Sequence, residues 1–246
     1  FEWGTDIYRD RQIVAEKLQI ARAQLPPDVN PVMAPISSIM GEIMLLGLRS
    51  TKEAATPEEA TAIAMELRTL GEFDVRNRLL AVEGVSQVTV MGGLFKQYQI
   101  VTSPARLAAQ SVSLQQLVEA AGKANVLVGG GIVVRPPREA LIRISGQSLA
   151  LEDLGNTPVM WREPRPVLIK DVADVRFDGP VKRGDGSVQV KESDRIVGGP
   201  AVMMTVQKQP GADTLTLDAA ISKVLDQMAE DLPDGVVIER RIFKQA

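Results

Sequence analysis

The residues with the clearest capacity for chemistry are methionines beside a carboxylate near position 42. The chain contains nine Met but neither Cys nor His. On an extended backbone Met40, Glu42 and Met44 would share one face, because side chains alternate with period two. Thioether sulfur suits Cu(I), whereas carboxylate oxygen suits harder divalent ions. This spacing therefore fits either a cation path or the wall of an amphipathic pocket.

Core packing is the competing interpretation of the same residues. Met40 and Met44 would then fill gaps in a hydrophobic core, with Glu42 at a strand end. Met91, which precedes Gly92-Gly93 at the end of another apolar segment, fits a cleft wall or a core position equally. Both interpretations stay open on composition and spacing.

The missing residue types exclude most catalytic chemistry. Without Cys and His the chain has no disulfides, thiol nucleophiles, imidazole or thiolate zinc sites, or His-based triads. Gly129-Gly130-Gly131 matches no phosphate-binding pattern and predicts a turn or bulge. Isolated pairs of acidic residues are typical of solvated faces and helix starts. We therefore expect no enzyme activity and no resident cofactor.

Charge and hydropathy limit the partners of the chain. The formal net charge of −3 leaves no basic face for nucleic acid. The longest apolar runs, such as residues 43–48, fall far short of the roughly 20 residues that span a membrane. The chain opens at Phe1 without the pattern of a signal peptide. We expect a piece cut from a longer protein.

An internal repeat organises the two ends of the chain. Gly4 and Gly211 each open a helical segment that closes 21 residues later, at Leu25-Pro26 and Leu232-Pro233. Each segment carries an apolar stripe typical of one face of a helix: Val14, Leu18, Ala21 and Leu25 in the first, and Ile221, Leu225, Met228 and Leu232 in the second. Each copy therefore predicts strand, helix, strand.

A third unit of this kind lies between the copies. Thr56-Pro57-Glu58-Glu59 is a helix start, and the helix should run to about Val82, with a weak point at Gly71. Residues 43–48 and 85–91 would be its flanking strands. From residue 95 the elements become shorter, with helices at 104–110, 114–124 and 148–154 and hairpins at 126–145 and 159–169. Residues 184–199 predict a loop and 201–206 a strand, so the fold class is α+β, with split βαβ (ferredoxin-like) units and an inserted lobe.

Ordered motifs along nearly the whole chain resemble the heavy-metal efflux branch of the resistance-nodulation-division (RND) transporters, the CusA/CzcA type. The matching segments include residues 1–6, 35–43, 65–70, 76–80, 84–88, 96–99, 129–131, 171–175 and 207–214. Members of this family are proton-driven inner-membrane trimers that export metal cations with a periplasmic adaptor (membrane fusion) protein and an outer-membrane channel. The resemblance implies the periplasmic portion of a Gram-negative inner-membrane protein, without its membrane helices and proton relay.

The resemblance also implies a division of the chain. Residues 1–34 would be the truncated second half of porter subdomain 1, residues 35–94 with 197–246 porter subdomain 2, and residues 95–196 the docking subdomain. The first strand and helix of porter subdomain 1 would be missing, and with them part of the packing surface for the apolar stripe of residues 14–25. We therefore expect residues 1–34 to be the least stable segment. Most trimer contacts would be missing as well, so the isolated chain should be a monomer.

By resemblance, Glu42 and Met91 correspond to positions that line the substrate path, with Met40 and Met44 as further candidates. The transported cation belongs either to the Cu/Ag class or to the Zn/Co/Ni/Cd class, and one Glu with several Met leaves both open. Two alternatives remain: a multidrug-type RND exporter, which the aromatic content of 4% disfavours, and a free-standing ferredoxin-like module that binds a small molecule.

Overall fold

The computed structural model describes residues 1–2, 4–37, 39–124, 128–135, 138–144, 150–162, 164–182 and 184–245. Its helices and strands, in chain order, are α1 (Ile7–Arg22), β1 (Glu42–Ser50), α2 (Pro57–Leu70), α3 (Arg76–Leu80), β2 (Val85–Gly92), β3 (Gln97–Thr102), α4 (Pro104–Ala109), α5 (Leu114–Lys123), β4 (Val128–Arg135), β5 (Arg138–Ile144), α6 (Leu151–Gly155), β6 (Pro158–Arg162), β7 (Arg165–Leu168), α7 (Ile169–Val172), β8 (Ala173–Asp178), β9 (Ser187–Glu192), β10 (Arg195–Lys208), α8 (Thr214–Asp231) and β11 (Val236–Lys244).

The main sheet has the order β11-β1-β10-β2, and all neighbouring strands are antiparallel. β1 and β2 therefore run parallel on either side of β10, with α2 connecting them. α8 makes the matching connection from β10 to β11. Two βαβ units are thus interleaved in a ferredoxin-like sheet, and the α+β prediction is confirmed.

Helices α2 and α8 cover one face of this sheet. Thr56 caps α2 as the sequence predicts, with its Oγ1 accepting a hydrogen bond from the Glu59 N–H at 3.2 Å. Ile221, Leu225 and Met228 of the predicted stripe are buried, whereas Leu232 follows the end of α8 and is half-buried. Met204 of β10 is fully buried beneath the helix. The core between helices and sheet includes Leu46, Leu48, Leu67, Val202, Met204, Ile221, Leu225 and Met228.

The helix that follows Thr56 changes geometry at Gly71, the weak point in its sequence. α2 ends at Leu70, a π-helical turn spans Gly71–Val75, and α3 continues from there. A Cβ on Gly71 would stand 3.1 Å from Val202 Cγ1. Glycine therefore allows the helix to approach β10 closely at this turn.

The lobe between β2 and β9 has its own buried cluster. β3 pairs with β8, while β4–β5 and β6–β7 form hairpins. The register of β4 shifts between Gly129 and Ile132, which is the predicted bulge. Pro136-Pro137 of the first predicted hairpin and residues 145–149 lie outside the described residues. The cluster contains Val112, Leu117, Ala120, Val167, Ile169, Val172 and Ala173.

The predicted loop at residues 184–199 is wrong. β9 pairs with the first half of β10 from Ser187↔Pro200 to Glu192↔Arg195, so only Ser193-Asp194 turn the chain. The sequence around Val188 and Val190 is rich in polar residues and glycine, so the alternation of these two valines was too weak to predict a strand. The hairpin also depends on long-range contacts, since β9 contacts β1. The predicted lobe boundary near residue 196 falls within β10.

The first copy of the repeat differs from the second. α1 ends at Arg22 rather than Leu25, and it has no buried residue. The strand expected after Pro26 is absent, because residues 23–37 as described contain no strand and find no strand to pair with. Within the described ranges, no helix has both the length and the apolar character needed to cross a bilayer.

Candidate functional site

The sheet face opposite α2 and α8 is the candidate functional surface, called here the open face. Directly paired residues share a face, and every second residue along a strand returns to it. Three rows across β1, β10 and β2 follow from the register: Glu42, Gln207 and Gln87; Leu45, Thr205 and Thr89; Gly47, Met203 and Met91. The open face therefore carries carboxylate, amide, hydroxyl and thioether groups.

One end of the open face is covered by β9. The Val188 side chain occupies the space where a Cβ on Gly47 would lie, and Ile242 Cδ1 would stand 2.8 Å from that Cβ. Glycine at position 47 therefore lets β9 pack on β1. Glu42, at the other end of β1, is exposed, and Met91, which lies in the Gly47 row but two strands away on β2, is 49% exposed.

Glu42 is held in place by its partner across the strands. Gln207 Nε2 donates a hydrogen bond to Glu42 Oε1 at 3.2 Å. The other amide atom, Gln207 Oε1, is buried and has no hydrogen-bond partner within the described residues. In the same row, Gln87 Nε2 donates to Thr89 Oγ1 at 3.2 Å. The row therefore presents an exposed carboxylate, and the unpaired oxygen of Gln207 is buried beside it.

The methionines of the open face lie in a different row. Met91 pairs directly with Met203, which is half-buried, so their thioether groups are neighbours. Met203 and Gln207 are four residues apart on β10, which corresponds to about 13 Å along an extended strand. Metal–ligand bonds are about 2.0–2.4 Å long. Glu42 and Met91 therefore share a face but not a single ion.

The structure overturns the prediction that Met40, Glu42 and Met44 share one face. Met40 lies in a 3₁₀ turn (Ile39–Gly41) before β1 and is 79% exposed. The ladder of β1 with β10 is irregular between Glu42 and Met44. That irregularity breaks the alternation, and Met44 enters the core at 2% exposure. Only Glu42 and Met91 of the four candidates lie on the open face.

The donor set of the open face amounts to part of a metal site. In the part of the chain that the structure describes, no three acidic side chains converge as metal ligands would. The Glu42 row supplies one carboxylate and amide oxygens, which favour hard divalent ions, and the Met91 row supplies two thioethers, which favour Cu(I) or Ag(I). Neither row alone completes the four ligands usual for such ions.

The opposite end of β1 holds a cluster of ion pairs. Arg49 Nη2 lies 2.7 Å from Glu239 Oε1 and 3.7 Å from Glu192 Oε1, and Arg49 and Glu239 are buried. Arg241 joins the cluster through Glu239 at 3.4 Å. These groups line a cavity of about 1140 Å³ between β9–β10 and α2. The charges balance in pairs, so the cluster ties β1, β9 and β11 together.

A second ion pair lies where the chain returns from the lobe. Asp185 Oδ2 accepts a hydrogen bond from Lys182 Nζ at 2.7 Å, and Oδ1 accepts from the Gly186 N–H at 3.0 Å. The bond from Lys182 is the main cause that lowers the pKa of Asp185 below its ordinary value. The Asp185 carboxylate, which lies beside Gly93, therefore keeps its negative charge to a lower pH than an ordinary aspartate.

Sequence reasoning missed Gln207, Gln87 and Met203. Their alternation with buried residues on β10 and β2 was a usable signal, because it marks the face away from the core. No local sequence pattern predicts that Gln207 lies beside Glu42, since the two residues are 165 positions apart.

Residues 1–243 match the family model described as the AcrB/AcrD/AcrF family. The chain is 32% identical to Protein HelA of Legionella pneumophila over 236 residues, and 31% identical to the cobalt-zinc-cadmium resistance protein CzcA of Cupriavidus metallidurans over 238 residues. It is 28% identical to the cation efflux system protein CusA of Escherichia coli over 241 residues. The matches cover 96–97% of the chain and 22% of each relative.

Solved structures share the fold. A heavy metal efflux pump in crystal form II aligns with a TM-score of 0.78 at 24% identity, covering 99% of the chain and 22% of the pump. Crystal form I aligns with a TM-score of 0.75 over 100% of the chain. The ferredoxin-like sheet and its inserted lobe are therefore an arrangement known from larger proteins.

Proposed function

Because the chain belongs to the AcrB/AcrD/AcrF family, we propose that it forms the substrate-binding and conduit portion of a proton-driven RND exporter of heavy-metal cations. The names of the relatives support metal cations as the exported class. The observation that carries the proposal is the open face, where Gln207 orients Glu42 and Met91 pairs with Met203. These rows supply donors along a surface rather than a closed structural site.

The chain would be divided into parts of three subdomains. Residues 35–94 with 197–246 would form porter subdomain 2, residues 95–196 the docking subdomain, and residues 1–34 part of porter subdomain 1. Two separate buried clusters, one in the main sheet and one in the lobe, support this division. The chain would lie on the periplasmic side of the inner membrane, with the proton relay elsewhere in the protein.

A metal path on the open face requires ligands from a facing surface. The Glu42 row and the Met91 row each lack enough donors to enclose an ion. Movement of a facing subdomain would complete and then break such a site, which changes affinity between loading and release. Two further copies, a periplasmic adaptor protein and an outer-membrane channel would complete the transport assembly.

Resistance assays in the full-length transporter test the proposal. Glu42→Gln keeps the shape of the side chain but removes its charge, and it should lower resistance to Zn(II), Co(II), Ni(II) or Cd(II). Met91→Leu keeps the apolar volume and should lower resistance to Cu(I) or Ag(I) if the thioether row is used. Met40→Leu lies off the open face and serves as the matched control.

Unchanged resistance to every metal in both Glu42→Gln and Met91→Leu, at normal expression, contradicts the proposed path. Calorimetric titration of the purified full-length transporter with Ag(I) and Zn(II) adds a direct measurement, because a facing surface can complete the site there. Saturable binding that Glu42→Gln abolishes for Zn(II) assigns the oxygen row, and loss of Ag(I) binding in Met91→Leu assigns the thioether row.

A further inference from the structure

The main sheet ends in two edge strands, and these strands differ in charge. Among the described strands, β11 stands at one end of the strand order and β2 at the other. β11 carries Glu239, Arg240 and Arg241, and charged side chains on an edge discourage the addition of a further strand. β2 has no charged residue and no proline between Val85 and Met91, and it is rich in valine. Such an edge is a template for pairing with another strand.

Two arginines of α2 and α3 occupy backbone acceptors of β2. Arg76 Nε donates a hydrogen bond to the carbonyl oxygen of Val88 at 3.1 Å, and Arg68 Nη1 donates to that of Gly92 at 2.9 Å. Backbone groups of alternate residues point to the same side of a strand, so both carbonyls face one edge. Because β10 fills the inner edge of β2, the arginines cap the outer edge.

The spacing of the two arginines matches the spacing of the two carbonyls. Arg68 and Arg76 are eight positions apart, which is about 12 Å along an α-helix. Val88 and Gly92 are four positions apart, which is about 13 Å along a strand. In a regular α-helix, residues eight apart would be rotated by about 80° around the axis. The π-helical turn Gly71–Val75 lies between the arginines, and its wider winding reduces that rotation, so both side chains reach the same strand.

Glu72 holds both arginines in this position. It lies midway between them in the sequence. Its Oε2 accepts a hydrogen bond from Arg68 Nη2 and its Oε1 accepts one from Arg76 Nη1, both at 3.1 Å. The Glu72 side chain is only 20% exposed, so solvent and salt screen these contacts less than they screen a surface ion pair. Arg68, Glu72 and Arg76 together are called here the edge clamp.

We propose that the edge clamp blocks β2 from pairing with β2 of a second copy of the chain. Two copies of one strand can pair antiparallel about a two-fold axis, which joins the same surface of each copy. Such pairing needs the outward carbonyls of Val88 and Gly92, and the arginines already occupy these acceptors. The clamp therefore keeps the main sheet from extending into a dimer, a role separate from the proposed metal path.

Sedimentation velocity of the chain at micromolar to millimolar concentrations tests the clamp. Arg76→Met keeps an apolar stem but removes the donor to Val88. It should tighten self-association about 10- to 100-fold relative to the wild-type chain, because a two-fold dimer contains the freed carbonyl twice. Glu72→Gln keeps the shape of the side chain but removes the charge that holds both arginines, so it should act in the same direction with a smaller effect.

Arg78→Met is the matched control. It also removes an ion-paired arginine from α3, but Arg78 donates to Asp74 and Asp231 and not to β2. Its self-association should equal that of the wild-type chain.

Hydrogen exchange at the Val90 amide locates the contact between copies. Val90 lies between Val88 and Gly92 at alternate positions, so its N–H faces the same outer edge. In Arg76→Met this amide should become protected as the protein concentration rises, because it then pairs with the second copy. In the wild-type chain its exchange rate should not depend on concentration.

Three results overturn the proposal. Arg76→Met may not remain monomeric at millimolar concentration with native circular dichroism. Association of Arg78→Met as strong as that of Arg76→Met would show that a general loss of positive charge is the cause. Association that leaves the Val90 amide unprotected assigns the contact to another surface. If Arg76→Met loses its native circular dichroism, Glu72→Gln, which keeps both arginine side chains, decides between the same outcomes.

Discussion

Gln207 of β10 donates its side-chain amide to the carboxylate of Glu42 on β1, and the Nε2–Oε1 distance is 3.2 Å. The contact fixes a carboxylate at the exposed start of a strand. It also brings the buried Oε1 of Gln207, which has no hydrogen-bond partner among the described residues, beside that carboxylate. An exposed glutamate would otherwise sample many rotamers, so this contact preorganises the carboxylate for a ligand.

We expect Gln207→Leu to weaken divalent-metal binding by the exporter about tenfold, because a lost partner in the outer shell leaves the ligating carboxylate disordered. The free energy of unfolding should stay constant or rise, since the substitution removes a buried oxygen without a hydrogen bond. Metal titration and urea unfolding of the same variant separate the two effects. A large loss of stability would mean that Gln207 is a structural residue.

The buried Arg49–Glu239 ion pair should affect the free energy of unfolding. Glu239→Ala leaves the buried Arg49 guanidinium without its 2.7 Å partner and should lower the free energy of unfolding by about 3–5 kcal/mol. Glu192, at 3.7 Å, moderates the loss. The double variant Arg49→Met/Glu239→Leu should recover most of it, because no uncompensated charge remains.

Urea unfolding of Glu239→Ala and of the double variant measures this effect. If Glu239→Ala and the double variant are equally unstable, packing rather than charge determines the contribution of the pair. Arg240→Ala provides a control on the same strand, since its bond to Asp226 involves an exposed carboxylate.

The lowered pKa of Asp185 predicts a response to acid. A carboxylate whose pKa is lower in the folded than in the unfolded state stabilises the fold above its unfolded pKa of about 3.9, and that contribution is lost as pH falls through the folded value. Lys182→Met removes the main cause and should raise the pKa of Asp185 toward its ordinary value. Carboxyl-carbon NMR titration reports this directly, and an unchanged pKa in Lys182→Met contradicts the assignment.

The two copies of the repeat should differ in local stability. α8 buries Leu217, Ile221, Leu225 and Met228, whereas α1 buries no residue. Opening a helix is easier when it buries few apolar contacts, so amides of α1 should exchange with solvent much faster than those of α8. Native-state hydrogen exchange measures both helices in one experiment. Equal protection in α1 and α8 would show that α1 has cover that the isolated chain does not reveal, such as self-association.

Local chemistry determined much of the architecture. The stripe on α8, the Thr56 cap, the weak point at Gly71 and the hairpins of the lobe could all be predicted, because each depends on periodicity or turn chemistry within a few residues. The family motifs likewise indicated the fold and the branch of exporters. That resemblance also implies Glu42 and Met91 as candidate site residues, which stays a prediction.

Long-range pairing decided the rest. The irregular pairing of β1 after Glu42 places Met44 in the core. β9 forms a strand because it pairs with β10 and contacts β1, although its own sequence is polar. Gln207 reaches Glu42 only through a contact between segments that are 165 positions apart in the sequence. Such contacts are specified by the packing of whole strands and helices, which a local sequence pattern does not encode.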